Sequence, residues 1–191
     1  MNILKDKVAI ITGGGTGIGK AIAKIFSSEG AKVIIASRNQ ENLINALNEI
    51  RQSGDEIIDY YKTDVTNTED VANLFSFAFN RYGSVDILVN NSGVMEGNPI
   101  DQVSDDQWEQ VISVNVTGTF KCTREGFKYM KSKGGKIINI GSIAGDSPRM
   151  FSSPYTTSKH AVRGLTKHEA ASLADVPSFI SRQLDAGRHL Y

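Results

Sequence analysis

Eight consecutive residues, Thr12-Gly13-Gly14-Gly15-Thr16-Gly17-Ile18-Gly19, constrain this chain more than any others. A short apolar run, Val8-Ala9-Ile10-Ile11, precedes them. Ile18, Ile22, Ile25 and Phe26 then fall at helical spacing on one face. The string therefore reads as strand, glycine-rich turn and helix. Gly13 permits the tight turn, Gly17 removes a Cβ where a diphosphate approaches the backbone, and Gly19 lets the helix pack closely on the sheet. The helix N-terminus offers unpaired N–H groups and about half a positive charge. The expectation is a dinucleotide site, and the context that follows decides whether the string is more than a glycine-rich loop.

Strand and helix patterns alternate through the chain. Strands are expected at 32–36, 56–62, 85–89 and 136–140. Between them lie helical stripes: Leu43, Ile44, Leu47 and Ile50; then Val71, Leu74, Phe75, Ala78 and Phe79. Thr66 and Glu69 match a capping box for the second of these. Ser104 starts a long helix to about residue 131, and a last long helix begins near Tyr155. Repeated βα units with apolar strands imply a parallel sheet covered on both faces. Right-handed crossovers favour a three-layer α/β/α, Rossmann-like doubly wound fold of order 3-2-1-4-5.

Composition removes several classes of function. With 21 basic and 21 acidic residues, the chain has no charge bias toward nucleic acid or anionic membrane. No apolar run is long enough to span a bilayer. A strand follows the N-terminus at once, leaving no room for a signal peptide. A single cysteine, Cys122, suits a reducing compartment, so a cytoplasmic protein is expected. His160, His168 and His189 show no metal-ligand spacing, and no metal is assigned.

The end of the second strand lies beside the adenosine ribose in such folds. An acid there would bind both ribose hydroxyls and repel a 2′-phosphate. This chain has Ser37 and then Arg38. A hydroxyl and a guanidinium suit the phosphate of NADP(H), since arginine can pair with it bidentately. NADP(H) is favoured and NAD(H) remains possible. Asp64-Val65, after the third strand, would contact the adenine, although Asp64 would serve equally as a turn residue.

Taken together, Thr12–Gly19, Asp64-Val65, Asn90-Asn91-Ser92-Gly93, Asn115, Ser142 and Tyr155-Thr156-Thr157-Ser158-Lys159 resemble the short-chain dehydrogenase/reductase family over residues 1 to about 173. Ser92 stands where alanine is usual. The resemblance implies NAD(P)-dependent hydride transfer between nicotinamide and a small carbonyl or alcohol substrate. Cofactor contacts would come from Gly13, Gly15, Thr16, Gly17, Ile18, Gly19, Asn91 and Gly93, together with Ser37, Arg38, Asp64 and Val65. It also implies a catalytic tetrad of Asn115, Ser142, Tyr155 and Lys159, the last two also meeting the cofactor. Tyr155 and Lys159 stand four apart, hence on one helix face. A free phenol titrates near about 10, too high for a base at neutrality. A neighbouring cation brings it down by about 1–3 units. Ser142 would hold the substrate oxygen, and Asn115 would anchor a water leading to Lys159. A homo-oligomer is expected through the two long helices, where the family assembles.

The family pattern ends near Leu173-Ala174. Residues 1–174 are read as the dinucleotide-binding domain, and 175–191 as an atypical tail. The tail shows no strand-like run, and Pro177 would open a short helix ending near Gly187. The fold would then lack the family's last two strands, leaving 136–140 as an exposed parallel edge. The alternative is a non-catalytic dinucleotide-binding fragment, or an interaction module, left by C-terminal truncation.

Overall fold

The computed structural model describes residues 2–52, 54, 57–172 and 179–186. Six parallel strands make one sheet: β1 (Val8–Thr12), β2 (Lys32–Ser37), β3 (Ile58–Lys62), β4 (Ile87–Asn90), β5 (Gly135–Ser142) and β6 (Phe179–Ala186). Their order is β3-β2-β1-β4-β5-β6. The expected doubly wound arrangement is present, and its central register (Ile11 level with Ile35, Ile10 with Leu88) buries β1 completely. Helices α1 (Gly17–Ser28) and α2 (Gln40–Arg51) pack on one face, over Ile11, Val33, Ile35 and Val89. Helices α3 (Thr68–Tyr82), α4 (Asp105–Ile112) and α5 (Thr119–Met130) follow, and α3 and α5 cover the other face, over Ile10, Ile34, Leu88 and Ile137. Helix α6 (Ser153–Ser172) shares that second face, where Thr166 and Glu169 meet Asn139.

Three expectations need correction. The segment read as a tail without a strand supplies β6, so β5 is not the edge of the sheet. Eight residues pair in unbroken register, from Gly135↔Phe179 to Ser142↔Ala186. The apolar face of β6, Ile180 and Leu184, is interrupted by Arg182 and stays largely exposed. Its other face is polar: Ser181, Gln183 and Asp185. Such a segment gives no hydrophobic alternation to read, and the unpaired backbone of β5 supplies what the side chains do not. Pro177 and Gly187 lie outside the described residues.

The stripe expected on α1 is also shifted. Ile18 and Ile25 are exposed, and the buried line is Gly19, Ala23 and Ser27, flanked by Ile22 and Phe26. A Cβ at Gly19 would run into the Gly13 carbonyl, so α1 sits too close to the turn for large side chains along that line. Finally, the cap of α3 is Asn67, not Thr66. Its Oδ1 accepts from the Glu69 and Asp70 amides at 2.8 and 3.1 Å, while the Thr66 hydroxyl donates to Asp64. Ser104 does start the long helix, with a reciprocal Gln107 box, but Ser113–Gly118 between α4 and α5 is a π-helical stretch.

Candidate active site

The C-terminal ends of β1, β2, β3 and β4 frame a cavity of about 210 Å³. Gly13, Gly15, Thr16, Ser37, Arg38, Asp64, Val65 and Gly93 all line it, as expected from their positions. Asn39, Asn42, Thr63, Ser92, Val94 and Val114 complete its walls and were not anticipated. The Asn39 side chain caps α2, and a serine-arginine-asparagine string beside a predicted helix start carried that signal. Gly17, Ile18, Gly19, Asn91, Tyr155 and Lys159 are not among the lining residues.

The turn itself is held from β4. Gly13 takes a left-handed backbone, φ 64°, and its amide donates to the Ala36 carbonyl at 2.7 Å. The Asn91 amide group donates to the Thr12 and Gly13 carbonyls, both at 3.1 Å. The Thr12 hydroxyl receives the Asn91 and Ser92 backbone amides at 3.0 and 3.1 Å. Asn91 thus braces the turn. Thr12, which sequence reasoning treated only as the start of the glycine string, joins β1 to β4. At Gly17 a Cβ would meet nothing, so the backbone there is open to a ligand.

Arg38 is exposed at the cavity wall and makes no hydrogen bond or ion pair among the described residues. The Ser37 hydroxyl donates to the Asn39 carbonyl at 3.2 Å. Asp64 is committed to a turn: its carboxylate accepts from the Thr66 amide at 2.9 Å and the Thr66 hydroxyl at 2.7 Å. It lines the cavity in that role.

Lys159 and Tyr155 meet near the end of β5, the strand that Ser142 closes, and Asn115 reaches α6 at Ser158, one residue before Lys159. Asn115 is buried in the π-helical stretch. Its Oδ1 accepts the Val94 amide at 2.8 Å, and its Nδ2 donates to the Val94 carbonyl at 2.9 Å and to Ser158 Oγ at 3.0 Å. Its side chain is therefore a clamp between the loop after β4 and α6. Ser142, almost buried, accepts the Ala144 amide at 3.2 Å. Lys159 is only 8% exposed, and its ammonium donates to the Ile140 carbonyl at 2.8 Å. The same ammonium lies 5.6 Å from the centroid of the Tyr155 ring. Burial pulls Lys159 down to about 8, against the Asp185 carboxylate, which raises it. Burial pushes the Cys122 thiol up to about 12, which leaves it an inert core group.

Beside the N-terminus of α6 runs a groove of about 580 Å³, walled by Ile100, Pro148, Met150 and Phe151. No cluster of metal-binding side chains occurs among the described residues, nor is any described helix long and apolar enough to cross a membrane.

Residues 7–176 match the family model described as short chain dehydrogenase. An uncharacterized oxidoreductase of Staphylococcus aureus (strain USA300) is 38% identical over 175 residues, 91% of this chain and 74% of its own. The 3beta-hydroxysteroid dehydrogenase 2 of Eggerthella lenta is 39% identical over 176 residues, 91% of this chain and 67% of its own. Among solved structures, a variant of actinorhodin polyketide ketoreductase with NADPH superposes with a TM-score of 0.90 at 33% identity, over 94% of this chain and 69% of the other. A short chain dehydrogenase/reductase from Burkholderia phymatum in complex with NAD gives 0.89 at 31% identity, over 93% and 64%. The chain thus spans between about two thirds and three quarters of the length of these relatives.

Proposed function

The chain belongs to the short chain dehydrogenase family and is by that membership an NAD(P)-dependent oxidoreductase; from this premise we propose that it prefers NADP(H) and interconverts a carbonyl and an alcohol, with Tyr155 as the acid and base. The observation that carries the preference is the uncommitted Arg38 guanidinium beside Ser37, at a strand end without a carboxylate. A guanidinium there would pair with a 2′-phosphate. The residues fit a dinucleotide on two further counts: the cavity follows the glycine turn, and the open backbone at Gly17 leads to the N-terminus of α1.

When bound, the nicotinamide supplies or accepts the hydride. Tyr155 gives a proton to the substrate oxygen in reduction and removes it in oxidation. Ser142 holds that oxygen, and the Lys159 ammonium lowers the cost of a phenolate. Asn115 keeps the loop after β4 against α6, so that Gly93 and Val94 stay at the cavity wall. We further read Trp108 and Phe120, 40% and 44% exposed on α4 and α5, as part of a homo-oligomer surface on the long helices.

Fluorescence titration with NADPH and NADH tests the cofactor reading. NADPH is expected to bind roughly 10–100-fold more tightly, the worth of one charge-assisted contact of about 1.5–3 kcal/mol. Arg38→Ala is expected to remove most of that difference and leave NADH affinity near its starting value. Equal affinities in the wild-type chain would refute the preference.

A further inference from the structure

We propose that Lys121, on α5, is a positioning residue for the adenosine half of the dinucleotide, acting through Val65 and Thr66 in the turn after β3. This rests on the reading above, in which the cavity beside Arg38 takes that half. Thr63, Asp64 and Val65 line the cavity from a turn that lies beyond the end of the sheet. Two holds on that turn are local. The Asp64 carboxylate accepts from the Thr66 amide and hydroxyl, and the Asp64 amide donates to Asp70 Oδ2, in the first turn of α3, at 2.8 Å. The third hold is distant: Lys121 Nζ donates to the Thr66 carbonyl across 55 residues of chain. The Lys121 ammonium makes no ion pair among the described residues. Nor does Lys121 line the cavity, so its effect on a ligand passes through the turn.

Packing repeats the contact. Val65 is buried and sits directly on the backbone of Gly118, where a Cβ would lie 2.7 Å from Val65 Cγ2. Val114, Gly118 and Lys121 are spaced to share one face of the helical run from the π-helical stretch into α5. Val114 lines the cavity itself, Gly118 makes room for Val65, and Lys121 pins the residue after it. In the same stretch Asn115 holds Val94, another lining residue, through its amide and carbonyl. One helical segment thus supports the cavity wall from the β3 side and from the β4 side. A purine ring gains most from an apolar wall at contact distance, and a valine displaced by a fraction of an ångström forfeits part of that attraction. The ammonium suits the task because a charged donor holds a carbonyl more firmly than a neutral one.

Calorimetric titration with 2′,5′-ADP, 5′-AMP and reduced nicotinamide mononucleotide tests the assignment, because these probes separate the two halves of the ligand. Lys121→Met keeps the stem and removes the ammonium. It is expected to weaken both adenosine probes by the same factor, roughly five- to tenfold, the worth of one hydrogen bond, and to leave the mononucleotide unchanged. Lys121→Arg should recover most of the loss. Gly118→Ala, which displaces Val65 and keeps the lysine, should show the same pattern as Lys121→Met. A direct contact between the ammonium and a 2′-phosphate would instead penalise 2′,5′-ADP alone. A folded Lys121→Met chain with wild-type affinity for both adenosine probes would overturn the proposal. So would a loss confined to 2′,5′-ADP, or an equal loss for the mononucleotide. Failure of the wild-type chain to bind either adenosine probe would refute the reading of the cavity, and the proposal with it.

Discussion

Lys159 carries the cost of a buried ammonium. Burial holds it at about 8, against 10.5 for a free lysine. Between those values the unfolded chain binds the additional proton, so the free energy of unfolding rises with pH across that window. Below about 8 both states are charged and the full penalty of burial remains. Lys159→Met should therefore flatten the rise in stability between pH 7.5 and 10, and should raise stability at pH 7 by about 1–3 kcal/mol. Urea denaturation at the two pH values measures this, and an unchanged slope would show that the ammonium is not the source. Asn115 is the opposite case, a buried amide with all its bonds made. Asn115→Ala strands the Val94 amide and carbonyl, and should cost about 2–4 kcal/mol. That would appear as a lower denaturation midpoint even in a chain assayed without cofactor. An unchanged midpoint would mean that the clamp on Val94 carries no stability.

Among the elements, α1 and β6 show how packing departs from pattern. The apolar spacing 18-22-25-26 gave the helix but not its buried line, because the turn and the helix approach until only Gly19 fits against the Gly13 carbonyl. Gly19→Ala should push α1 away from the turn and weaken dinucleotide binding at least tenfold in a fluorescence titration, while Gly17→Ala meets no atom and is limited only by its φ of 51°. Equal binding by Gly19→Ala and the wild type would contradict the close approach. Strand β6 is held by its backbone and by Ser181, whose hydroxyl reaches the buried Glu169 carboxylate. Glu169→Ala removes that acceptor, and the β6 amides should then exchange with solvent faster than those of β1 by a larger margin than in the wild type. Equal protection would place the strength of the edge in the backbone ladder alone.

For the molecule as a whole, the order of the first five strands and the cavity at their C-terminal ends were legible because they rest on local signals: apolar runs, a glycine turn, and polar residues at successive strand ends. The doubly wound order followed from handedness, and eight of the expected contact residues do line one cavity. What escaped the sequence was non-local. Thr12 serves β4 from β1, Asn115 serves α6 from the π-helical stretch, and β6 has no pattern until β5 stands beside it. The same non-local assembly brings Tyr155 and Lys159 to the end of β5. The most direct test of the whole account is the rate of NADPH-dependent reduction of a carbonyl panel by the wild-type chain and by Tyr155→Phe, with cofactor affinity measured on both. The account expects turnover by the wild type and a loss of roughly 10²–10⁴-fold in Tyr155→Phe at unchanged NADPH affinity. Turnover that survives the loss of the phenol would contradict it.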